Sequence, residues 1–161
     1  MAESWESRVA AVWAAAESSA GETVLTSIDS LVSERGADDA AALFEAASVR
    51  DYLGREAEAE PLYRRAITAG LDARRHPQAV IQLASTLRNL GRAAEAVDLL
   101  NDLLAEHAAD EWTAPAAAFL ALSLASGGRA RDAASVALYA LADSLPAYSG
   151  AVRRYALELR D

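Results

Sequence analysis

Apolar residues along the chain recur at helical spacing, and no segment sustains the alternation of apolar and polar positions that a strand requires. Around residue 91 the pattern is clearest. Val80, Leu83, Ala84 and Leu87 precede Gly91, and Ala96, Leu99, Leu100, Leu103 and Leu104 follow it. Each set lies on one face of a helix, so the stretch predicts a helix, a tight turn at glycine, and a second helix. Before residue 36 the same spacing predicts one helix from Ser4 to about Ala20, with Trp5, Val9, Val12, Trp13 and Ala16 on one side. A partner helix is predicted from Glu22 to Glu34. Gly36 to Asp39 reads as the turn that follows. Near the other end, Val152, Tyr155, Ala156 and Leu159 predict a closing helix over 148–159.

The helix–glycine–helix unit repeats. Leu53-Gly54-Arg55-Glu56-Ala57-Glu58-Ala59, Leu90-Gly91-Arg92-Ala93-Ala94-Glu95-Ala96 and Gly127-Gly128-Arg129-Ala130-Arg131-Asp132-Ala133 align without gaps on Gly-Arg-x-x-(Glu/Asp)-Ala. The period is 37 residues both times. Ala47, Ala84 and Ala121 stand seven residues before the glycines. Apolar residues follow at fixed distances: Leu62, Leu99 and Val136, then Ile67, Leu104 and Leu141. A glycine just past a helix takes the left-handed conformation that costs other residues about 1 kcal/mol. The acid four positions on faces the positive end of the second helix dipole. The alanine after it permits close helix contact. The arginine is read as a solvated turn residue. Pro77 fits a first helical turn, whereas Pro61 falls inside a predicted helix and is expected to kink it.

These residues resemble the tetratricopeptide repeat pattern: Ala47, Gly54, Ala59, Tyr63 and Ala66 in the first unit, Ala84, Gly91, Ala96, Leu100 and Leu103 in the second, and Ala121, Gly128, Ala133, Ala137 and Ala140 in the third. Three features depart from it. The period exceeds the usual length, Leu43, Val80 or Ala117 stands where a tryptophan is usual, and the closing proline is matched only by Pro146. Residues 79–91 are also similar to small bacterial proteins of this family. The resemblance implies an all-α, right-handed superhelical solenoid forming a single domain over 1–161. The expected units are an N-terminal pair at 1–36, repeats at 38–73, 75–110 and 112–146, and a covering helix at 147–161. It further implies a concave groove lined by first helices: Phe44, Glu45, Ser48, Asp51 and Tyr52, then Gln78, Ile81, Gln82, Ser85, Arg88 and Asn89, then Ala118, Phe119, Leu122, Ala125 and Ser126. The lysine and asparagine residues with which some members clamp a peptide carboxylate are absent from these positions. Phe119 and Leu122 stand out because residues 114–125 are apolar nearly all round, whereas a surface helix shows a polar face.

Composition agrees with packed helices. Alanine makes up a quarter of the 161 residues, against four prolines and eight glycines. The net charge of −9 argues against nucleic acid or an anionic membrane as a general partner. Lysine is absent, which fits codon bias in a GC-rich genome or an acidic surface adapted to salt. Cysteine is absent as well, which removes disulfides and thiolate chemistry. No apolar run reaches transmembrane length, and Met1 to Glu6 lacks the basic start of a signal peptide, so a cytoplasmic, bacterial protein is expected. His76 and His107 are isolated near predicted helix ends, and no metal-binding spacing or phosphate loop occurs. No catalytic residue, metal or cofactor is therefore expected. The expected function is to hold an unidentified protein or peptide in the groove. The alternative is a self-associating structural protein, such as a homodimer, and an enzyme ranks third.

Overall fold

The computed structural model describes residues 3–107 and 109–160. Among them nine α-helices and two short 3-10 turns occur, and no strand. The helices are α1 (Trp5–Ala14), α2 (Gly21–Val32), α3 (Ala40–Tyr52), α4 (Glu56–Ala69), α5 (Arg75–Asn89), α6 (Ala93–Glu106), α7 (Thr113–Ser126), α8 (Ala130–Leu141) and α9 (Ser149–Leu157). The contacts divide the chain into two units, Met1–Gln82 and Leu83–Asp161, with the division inside α5.

Helix starts are set by side-chain caps where the sequence supplies them. The Ser4 hydroxyl accepts from the Ser7 amide, and Asp39 accepts from the Ala42 amide at 2.9 Å. Asp72 receives the Arg74 and Arg75 amides at 3.0 and 2.8 Å ahead of α5, and the Arg75 amide leads the contacts that hold its carboxyl below the usual range. The first helix is shorter than the sequence pattern suggests. It stops at Ala14 and gives way to a 3-10 turn at Ala16–Ser18, where the Ser18 and Ser19 hydroxyls both donate to the Ala15 carbonyl. α4 runs across Pro61 without interruption.

The three repeated turns are the same structure. Gly54, Gly91 and Gly128 have φ of 69°, 79° and 79°. The next amide reaches back five residues in each: Arg55 to the Arg50 carbonyl, Arg92 to Leu87, and Arg129 to Leu124, at 2.8 to 2.9 Å. The glycine amide closes an inner bond, to Asp51, Arg88 or Ala125. This paired bonding is the Schellman motif, which satisfies carbonyls that the helix end leaves free. The motif arginine is more than a solvated turn residue. Arg92 donates to Glu95 at 3.0 Å and Arg129 to Asp132 at 2.8 Å, so the acid three residues on clips the turn. Arg55 instead pairs with Glu22 of α2. Such exposed pairs contribute under about 1 kcal/mol each.

The alanines sit where close contact demands them. Ala47, Ala59, Ala84 and Ala96 are fully buried, and Ala133 nearly so, whereas Ala121 is half-buried. Within the first unit α1 packs on α2, α2 on α3, and α3 on α4. Trp5, Val9, Ala16, Val24, Ile28, Leu31, Ala42 and Val49 share one core cluster. Within the second unit α6 packs on α7, α7 on α8, and α8 on α9.

Candidate partner-binding surface

The first unit contributes one face of α3. Phe44 and Glu45, expected on a groove, are only 7% and 6% exposed. Phe44 packs with its ring 6.3 Å from that of Tyr63, which is wholly buried. Ile81 is likewise buried, so Phe44 and Ile81 serve the core rather than an open surface. Beside Glu45 lies a residue the sequence reading did not place there. The Trp13 indole donates to Glu45 Oε2 at 2.7 Å, and its ring meets Tyr52 edge-on at 5.8 Å. These contacts span 32 and 39 positions along the chain (Trp13 to Glu45 and to Tyr52), and no local pattern announces them.

Polar groups continue along the same helix. The Ser48 hydroxyl reaches the Phe44 carbonyl at 2.9 Å and Gln82 Oε1 at 3.3 Å. The Tyr63 hydroxyl donates to Asp51 at 3.4 Å. Burial, and then the charge of Asp51, push the Tyr63 hydroxyl up from its ordinary value. Tyr52 is half exposed, Gln78, Ser48, Asp51 and Gln82 are partly so. The face therefore shows an aromatic edge beside hydrogen-bonding groups, with a carboxylate set beneath them.

Burial also raises the Glu45 carboxyl above its ordinary 4.5, while the Trp13 hydrogen bond and the nearby charge of Arg75 draw it down. The folded chain thus binds this proton more tightly than the unfolded chain does. Its contribution to stability is present in acid and is lost as pH rises through the folded value. Glu45→Gln keeps an acceptor for the Trp13 indole and removes the charge. We expect the variant to be more stable than the parent at neutral pH, with the difference closing below 4.5. Denaturant unfolding of both proteins across that range measures the gap, and a gap independent of pH would show that the carboxyl does not titrate with folding.

The second unit contributes parts of α5 and α7. Arg88 donates to Asn89 Oδ1 at 3.0 Å, and Ser85 is half-buried. On α7, Leu122 is 48% exposed, Phe119 is half-buried, and Ala118, Ala125 and Ser126 are exposed. Ala116, Ala117, Leu120, Ser123 and Leu124 form the buried side. The buried Ser123 hydroxyl donates to the Phe119 carbonyl at 2.9 Å.

Among the described residues no three His, Asp or Glu side chains gather as a metal site. His107 caps α6 through its amide, and its Nδ1 lies 2.5 Å from Asp110. No helix of the described residues is long and apolar enough to cross a membrane.

A family model described as a tetratrico peptide repeat matches residues 40–159, which spans all three glycine turns. No curated protein and no solved structure matches the chain.

Proposed function

The chain belongs to the tetratricopeptide repeat family, whose members generally mediate protein–protein interaction, and from that premise we propose that it holds a peptide or helix of another protein on the α3 face of its first unit. The observation that carries this reading is the α3 face. There Tyr52 stands half exposed against Trp13, beside Ser48 and Gln82. An aromatic edge next to amide and hydroxyl groups suits a peptide, which offers both apolar side chains and a polar backbone. In the second unit, Leu122 gives α7 an exposed apolar residue of its own. The family is generally non-catalytic, and we assign no reaction. We place the protein in a bacterial cytoplasm, in keeping with its acidic, cysteine-free composition.

Two variants test the assignment. Tyr52→Ala with Gln82→Ala alters the α3 face and the α5 residue that borders it, and Phe119→Ser with Leu122→Ser alters α7. We expect each to keep its helical content and its mass while losing, by at least tenfold in recovered amount, proteins that co-purify with the parent from native lysate. Full recovery of every such protein by both variants would remove these faces from the binding function.

A further inference from the structure

The last repeat is covered on a different side from the other two. The 37-residue period relates Glu60, Tyr63, Arg64 and Ile67 of α4 to Val97, Leu100, Asn101 and Leu104 of α6, and to Ala134, Ala137, Leu138 and Leu141 of α8. In α4 and α6 every one of these positions except Asn101 is buried or half-buried, and Tyr63 and Leu100 are wholly buried. In α8 all four are exposed, Leu138 to 38% and Leu141 to 51%. The opposite holds at two other positions. Pro61 and Asp98 are exposed while Ser135 is wholly buried, and Thr68 and Ala105 are exposed while Ala142 is wholly buried. The helix that follows, α9, packs on α8, and Arg160 just beyond its end donates to Ser135 at 3.1 Å. The closing segment thus covers a side of α8 that the earlier repeats leave to water. It leaves open the side that the earlier repeats bury.

We propose that a second copy of this chain covers that open side, with α8 of the two copies antiparallel about a two-fold axis. Three features of α8 select this occupant. Ala134, Ala137, Leu138 and Leu141 fall within an arc of about 100° and form one stripe along the helix. No charged residue occurs from Ala133 to Ala142. The stripe is also complementary to itself when reversed. An axis between Ala137 and Leu138 sets Ala134 opposite Leu141 of the partner subunit, and Ala137 opposite Leu138 of the partner subunit, so that small residues receive large ones.

The experiment measures the mass of the purified full chain in solution by light scattering over a dilution series. The parent is expected at twice the 17.0 kDa chain mass. Leu138→Glu with Leu141→Glu is expected to halve the observed mass with unchanged circular dichroism, while Leu122→Ser on α7 leaves the dimer intact. Because the chain has no cysteine, a single introduced thiol reports proximity without background. Ala137→Cys is expected to yield a disulfide-linked dimer under mild oxidation, and Ala105→Cys, exposed on α6, is expected to remain unlinked. A parent of single-chain mass at every concentration overturns the proposal. So does a double glutamate variant that stays dimeric, or an Ala105→Cys variant that links as fast as Ala137→Cys.

Discussion

Trp5→Ala is expected to lower stability by about 3–5 kcal/mol, as for other large aromatic residues removed from a core. The residue is 7% exposed and joins the cluster of Val9, Val24, Ile28 and Leu31. Its indole donates to the Leu31 carbonyl at 2.8 Å, and the Arg35 guanidinium lies 4.3 Å from the ring centre. Arg35 also bonds Glu6 at 3.1 Å and Asp39 at 3.2 Å, so the tryptophan sits under a bridge that joins α1 to the start of α3. The fully buried residues of α1 are Trp5 and Val9, so the ring carries a large share of the core contact of this helix, beside the partly buried Val12 and Trp13. Denaturant unfolding gives the loss. Trp5→Phe should fall between variant and parent, because it restores much of the volume but removes the indole hydrogen bond, leaving the Leu31 carbonyl with the Glu34 amide. An unchanged midpoint for Trp5→Ala would mean that α1 is not docked as described.

A second large effect compares equivalent positions in successive repeats. Leu100→Ala should destabilise by about 2–5 kcal/mol, since the side chain is wholly buried and its loss leaves a cavity. The repeat that follows already has alanine at that position, Ala137, and there it is exposed. Ala137→Leu should therefore change folding stability by no more than about 0.5 kcal/mol, measured on a Leu138→Glu/Leu141→Glu background to separate folding from association. Thermal melts of the two variants check the contrast. A loss at Ala137 as large as that at Leu100 would mean that the third repeat is covered like the second.

That contrast marks what the sequence could and could not reveal. The glycine turns, the buried alanines beside them and the helix pairs were readable, because local spacing and left-handed geometry determine them. The groove positions on α3 followed from the family pattern, but their burial did not. Whether Glu45 is open or covered depends on Trp13, whose approach is set by the packing of α1 and not by any feature near residue 45. The arginine clip was legible in principle, since an acid stands three residues after Arg92 and Arg129. Arg55 shows the limit of that signal: its partner, Glu22, lies on another helix. The side on which α9 closes the array was not legible, because a repeat specifies its contact with the next repeat and is silent about what replaces the next repeat at the end.

The three glycine turns separate two demands that are often confused, handedness and room. At Gly54, Gly91 and Gly128 an added methyl group would meet no atom within 4 Å, so space is not what excludes a side chain. The backbone sign opposes it, because φ near +70 to +80° costs a residue of natural configuration about 1–2 kcal/mol. A D-alanine prefers that region. At these turns it would meet the required sign of φ and restrict the unfolded chain, where L-alanine at the same atom count would oppose the turn. At the repeating joint of the solenoid, handedness of the backbone and not crowding at the first side-chain atom is what calls for glycine.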